Sequence, residues 1–101
     1  MYSLAATKKG DTVALMVVLH PVNDYEAWRK VYDEVGPIQK AGGVIEESVY
    51  RAKDDPNNVL VLHRFATVGE AEAFLQNPDL QAAMERGGVA GPLRAEIFEE
   101  A

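Results

Sequence analysis

An α+β domain with the element order βαββαβ, the ferredoxin-like split βαβ pattern, is what this sequence predicts. Three observations carry that expectation. Two short runs, Val13–Leu19 and Val59–Leu62, are almost wholly apolar and rich in β-branched residues, which reads as strands buried on both faces. Stretches with apolar residues at helical spacing separate these runs from two more polar strand candidates. Finally, 101 residues have too little material to cover both faces of a sheet, so a second subunit is needed for one of them. A four-stranded antiparallel sheet in the order 4-1-3-2 places the two apolar strands in the middle, with helices on one face.

Each element has its own local reason. The first strand covers about Val13–His20, and Pro21 ends it because proline cannot donate to the ladder. Asn23 stands three residues before Glu26, a capping-box spacing that opens a helix. Trp28, Val31, Tyr32, Val35 and Ile38 share one side of it, Gly36-Pro37 breaks its last turn, and Gly42-Gly43 ends it. The second strand, about Val44–Arg51, is half polar. Glu46, Ser48 and Tyr50 lie on one face and Ile45, Glu47, Val49 and Arg51 on the other, as at a sheet edge. Turn formers over Lys53–Asn58 join it to the third strand, about Val59–Phe65, as a hairpin. Thr67 with Glu70 forms a second capping box, for a helix that turns Ala71, Phe74 and Leu75 inward. Asn77-Pro78 reads as an N-cap followed by proline at the first helical position, with that helix ending at Gly87-Gly88. Gly91-Pro92 leads into a last strand, about Leu93–Glu99. Residues 1–11 are expected to be a flexible leader, and residues 12–101 a single domain.

Composition narrows the function. The formal net charge is -6, from 16 acidic against 10 basic residues, and no Lys/Arg cluster offsets it, so nucleic acid is not an expected partner. No apolar stretch approaches the ~20 residues that span a bilayer, so no membrane role is expected. With no cysteine there is no disulfide and no thiolate nucleophile, and a cytoplasmic location follows by default. Phosphate-cradling glycine loops, a dinucleotide fingerprint and a nucleophile elbow are all missing, and neither serine, Ser3 or Ser48, has an activating context. No cofactor and no metal site are expected.

His63 is the sharpest chemical candidate. Strand alternation puts it on the face of Val61 and Phe65, with Arg64, Leu60 and Leu62 on the other. If that face meets the helices, His63 meets Trp28 or Tyr32 across a small pocket. There it can act as general base on an acidic phenol or enol, or serve as a hydrogen-bonded histidine near a strand end. Trp28, Tyr32 and Tyr25 form an aromatic stripe that reads either as core or as the wall of a site for a flat apolar ligand. Phe65 and Tyr50 join the expected substrate-binding set, as does His20 at the end of the first strand. In an antiparallel pairing His20 lies far from His63 in the same subunit, so the two do not form a metal site. Glu46-Glu47 and Glu99-Glu100 point to opposite faces in each pair and read as solvated edges.

The whole pattern resembles the dimeric α/β-barrel superfamily, and within it the antibiotic biosynthesis monooxygenase-like small bacterial proteins. The residues carrying the likeness are Asp24–Arg29, Gly42-Gly43, Asp54–Asn57, Val59–Phe65, Glu70–Leu75 and Met84–Val89, so it spans about residues 13–99. The resemblance implies a homodimer closed sheet on sheet. It also implies either a cofactor-independent, monooxygenase-like or cyclase-like enzyme acting on an aromatic or polyketide-type compound, or a non-catalytic ligand-binding or structural dimer. Haem-degrading members carry an Asn on the first strand, a Trp in the second half and a His on a later helix, a set this chain lacks. Quinone-forming members often end the third strand with Trp, where this chain has Phe65.

Overall fold

Two strands run antiparallel through the middle of the sheet, β1 (Ala14–Pro21) and β3 (Asp55–Phe65), with Met16 opposite His63 and His20 opposite Val59. The computed structural model describes residues 13–101, so the leader expected at the N-terminus lies outside the described residues. Two further strands complete the sheet, β2 (Val44–Ala52) beside β3 and β4 (Arg94–Glu99) beside β1. All pairings are antiparallel and the order is β2-β3-β1-β4, which matches the expected topology. The fold is ferredoxin-like α+β.

Burial follows the two-residue period of the strands. Along β1, Ala14, Met16, Val18 and His20 are buried while Leu15, Val17, Leu19 and Pro21 are half-buried. Along β3, Val59, Val61, His63 and Phe65 are buried while Leu60, Leu62 and Arg64 are half-buried. The buried face carries the helices α1 (Tyr25–Glu34), α2 (Gly36–Ala41), α3 (Val68–Leu75) and α4 (Pro78–Arg86). Trp28, Ala71 and Phe74 pack down from them onto Met16, Val61 and Phe65 to form the core. Among the described residues no helix covers the opposite face, and its apolar residues stay partly open within the single chain.

Several local details differ from expectation. The N-cap of α1 is Asp24, whose side chain accepts from the Ala27 N–H at 2.9 Å. Asn23 is instead held by its backbone, which donates to the Gly88 carbonyl where β1 leaves the sheet. The expected Thr67 and Asn77 caps do form, accepting from Glu70 N–H and Asp79 N–H respectively. The first helix is two helices, divided at Val35 just before Gly36-Pro37. Strand β3 begins at Asp55 rather than Val59, because the hairpin turn needs only Lys53-Asp54 and the following residues pair back along the sheet. A bulge between Val44 and Glu46 leaves Ile45 as the extra residue, 60% exposed. Gly43, at φ 97°, takes the left-handed conformation that turns α2 into β2.

Candidate functional site

Between the buried sheet face and the helices lies a cavity floored by Met16, Val18 and Val61, with His20 toward one end and His63 toward the other. Trp28 and Tyr32 form its wall from α1, while Phe74, Leu80 and Met84 reach in from α3 and α4. Its empty space is about 460 Å³, open solvent at the mouth included. The lining is overwhelmingly apolar, so its few polar atoms stand out.

A ladder of aromatic rings runs along the wall. His20 and Trp28 have centroids 5.7 Å apart, Trp28 and Tyr32 stack at 4.9 Å, and Tyr32 lies nearly parallel to His63 at 6.2 Å. Helical spacing explains the centre of the ladder, since residues four apart sit one above the other. Phe65 and Phe74 meet the His63 ring edge-on, at 6.4 and 5.5 Å, and so fix its plane from behind.

His63 is 4% exposed. Its Nε2 lies 3.1 Å from the Tyr32 hydroxyl, and its Nδ1 is buried with no hydrogen-bond partner. Burial lowers the imidazole to about 4, partly opposed by the nearby charge of Glu47, so the ring is neutral near pH 7. The Tyr32 hydroxyl also bonds the Glu47 carboxylate at 2.5 Å. Burial first, and then that carboxylate, push the Tyr32 phenol up, which keeps it a donor. Gln39 acts on the phenol in the opposite sense, and its own buried Nε2 has no hydrogen-bond partner.

His20, 3% exposed, is also lowered by burial, against the pull of the backbone carbonyls of Pro21 and of His20 itself. Its Nδ1 is a second buried imidazole nitrogen without a partner. Pairing of Met16 with His63 and of Val59 with His20 separates the two imidazoles by four strand residues, roughly 13 Å. Among the described residues no cluster of three or more His, Asp or Glu is placed to hold a metal.

The structure thus gathers His63, Trp28, Tyr32 and His20 around one cavity. Phe65 backs His63 from the core, 0% exposed, and does not line the space. Tyr50 is elsewhere: opposite Leu60 on the helix-free face and 54% exposed. Its expected place in the pocket is corrected by register, because every residue directly across from Leu60 faces away from the helices. Glu47 adds a contact that the sequence did not point to. It is exposed on the edge strand, as expected, and from there it also pairs with His63 across β2 and β3 and holds Tyr32. Its neighbour Glu46 does point to the opposite face, where it meets Arg64 at 3.1 Å.

A ferredoxin-like sheet with an apolar cavity under its helices defines the class of small monooxygenase-like, small-molecule-binding folds. The chain belongs to the antibiotic biosynthesis monooxygenase family, whose pattern matches residues 16–86. Among solved structures it is similar to SnoaB, a cofactor-independent oxygenase from Streptomyces nogalater, with TM-score 0.74 and 11% identity over 89% of this chain and 94% of that one. A monooxygenase from the gene ActVA-Orf6 of Streptomyces coelicolor, in complex with Nanaomycin D, gives TM-score 0.64 and 16% identity over 90% and 89% of the two chains. A conserved protein from Methanosarcina mazei gives 0.70 and 11%, over 91% and 96%. No curated protein matches the sequence significantly. At these identities the structural likeness speaks for the fold, and among the described residues no helix is long and apolar enough to cross a membrane.

Proposed function

We propose that this protein is a cytoplasmic homodimer that binds a flat aromatic or polyketide-type compound in the cavity beneath its helices and oxygenates it without a cofactor. The observation that carries this reading is the His63 imidazole, neutral and buried at an apolar cavity with Nδ1 unpartnered. A slot walled by Trp28 and Tyr32 suits a planar ring system. His63 takes the proton of an acidic phenol or enol seated against it, and the electron-rich anion reacts directly with dioxygen. At a ring CH₂ group one oxygen atom becomes the new carbonyl and the other leaves as water with the two hydrogens, so dioxygen is the sole oxidant. The family match, and a cofactor-independent oxygenase among its structural neighbours, support this reading.

The dimer rests on the helix-free face. Leu15, Val17, Leu19, Leu60 and Leu62 form an apolar strip along β1 and β3, flanked by exposed Phe98 and Tyr50. A second copy laid sheet on sheet buries it.

The test is a thermal-shift screen with naphthols, anthrones and quinols, followed by oxygen uptake for each binder, in the wild type and in His63→Ala. A binder at a hundredfold excess over its dissociation constant adds about 2.7 kcal/mol. Oxygen uptake that disappears in His63→Ala supports the proposal. Uptake retained in that variant removes His63 from the role of base. Binding without uptake leaves a non-catalytic binding protein, and no binder of any class leaves a structural dimer.

A further inference from the structure

Glu47 and His63 face each other across the β2–β3 pair, and Tyr32 comes down from α1 to touch both. The phenol has one proton to donate and two acceptors beside it, so its direction is a question of inventory. An ionised carboxylate carries no proton and can only accept. Were Tyr32 to donate to His63 Nε2, the phenol oxygen and Glu47 Oε1 would be in contact with no proton between them. The proton therefore goes to Glu47, and the 3.1 Å contact to His63 is a hydrogen bond only if Nε2–H donates to the phenol oxygen. A neutral imidazole carries a single N–H, which leaves Nδ1 bare.

We propose that Glu47 is a positioning residue: by claiming the Tyr32 proton it holds His63 in the Nε2–H tautomer and leaves Nδ1 as the free base of the cavity. The tautomer stands on hydrogen-bond geometry alone, and only the use of Nδ1 as a base rests on the function proposed above. One consequence concerns the ligand. A bare, buried Nδ1 is an acceptor that lacks a partner, so a compound that reaches it gains more by presenting a hydroxyl than by presenting only a carbonyl or an ether.

The experiment is long-range ¹H–¹⁵N correlation of the His63 ring at neutral pH, where His63 is uncharged. It is run on the wild type, Glu47→Gln and Glu47→Lys. Glu47 is exposed at an edge strand, so neither substitution disturbs core packing. The wild type is expected to show the proton on Nε2. Lysine can only donate, so in Glu47→Lys it turns the Tyr32 proton toward Nε2 and moves the ring proton to Nδ1. Glutamine can do either and is expected to give a mixture. A wild-type ring protonated on Nδ1, or a tautomer unchanged in Glu47→Lys, overturns the proposal. In parallel, the wild type is expected to bind a naphthol at least tenfold more tightly than its methyl ether, and Glu47→Lys to lose that preference. A preference retained in Glu47→Lys counts against the relay. The tautomer shift occurring without any turnover of phenols would leave the relay standing and remove the oxygenase reading. Turnover with no tautomer shift would do the reverse.

Discussion

The Trp28 indole stacks on the Tyr32 phenol with ring centroids 4.9 Å apart and planes at 22°. One turn of α1 sets the spacing, and the two rings serve two ends at once: the indole fills core, while the phenol carries a hydroxyl to the His63–Glu47 pair. The stack is therefore where stability and the site's chemistry meet, and the two can be separated by substitution.

Trp28→Ala is expected to cost about 3–5 kcal/mol, the usual range for emptying a buried large aromatic position. Trp28 is 5% exposed, touches the rings of His20, Tyr25 and Tyr32, and belongs to the core cluster. Tyr32→Phe keeps the stack and removes only the hydroxyl, so ligand turnover should fall while most stability remains. Urea denaturation of both variants checks the contrast, and comparable losses would show that the phenol is structural.

The buried histidines make stability depend on pH. His63 titrates near 6.5 in the unfolded chain and at about 4 when folded, so between these values the unfolded chain binds more protons. Stability therefore falls as pH drops through that window, and the full effect is about 3 kcal/mol. His20 shifts in the same direction and adds to the loss. Denaturation at pH 7 and pH 4.5 should show a smaller acid loss in His63→Leu than in the wild type. Carboxylate contributions are common to both proteins and cancel in the comparison. Equal acid losses would mean that His63 is solvated enough to keep its ordinary value.

The sequence revealed what depends on local periodicity and missed what depends on register. Alternation alone assigns Val61, His63 and Phe65 to one face of β3, and the burial pattern agrees. Helical spacing likewise places Trp28 above Tyr32. The face of Tyr50 and the contact of Glu47 with Tyr32 were not legible because β2 is half polar on both faces, so alternation groups its residues without saying which group meets the helices. Only pairing with β3 decides that, and the bulge at Ile45 is invisible in the sequence. The cap of α1 fell one residue late for a similar reason: a remote backbone contact from Gly88 occupies Asn23.

Two glycines at the ends of α2 should respond to alanine with opposite signs. At Gly36 an added Cβ meets nothing within 4 Å, so Gly36→Ala removes unfolded-state freedom and stabilises by about 0.4–1 kcal/mol. At Gly42 the same Cβ would lie 2.7 Å from Phe74 Cδ1, and Phe74 is 2% exposed. Gly42→Ala is expected to cost about 1–3 kcal/mol. Because Phe74 packs edge-on against His63, it should also weaken ligand binding from a position outside the cavity lining. Thermal melts of the two variants decide the matter, and a stabilised Gly42→Ala would mean that the Phe74 ring yields freely.

The proposed dimer makes the sharpest demand on the helix-free face. Leu62 is central there, with Val17 on one side and Ser48 on the other, and Leu60 and Arg64 along its own strand. Leu62→Asp sets a carboxylate in the middle of the strip. In a sheet-on-sheet dimer both copies bring that charge to the interface, since a two-fold axis presents the same patch twice. Burying it unpaired costs several kcal/mol per copy, far more than the loss of one leucine's apolar area. The side chain points away from the helices, so the internal core and the His63 cavity keep their packing. Sedimentation equilibrium at micromolar concentration should therefore give twice the chain mass of 11.1 kDa for the wild type and a single chain for Leu62→Asp. The far-ultraviolet circular dichroism of the variant should stay that of a folded α+β domain. A wild type sedimenting as a single chain would remove the dimer, whereas an associated Leu62→Asp would mean that the subunits meet through some other surface.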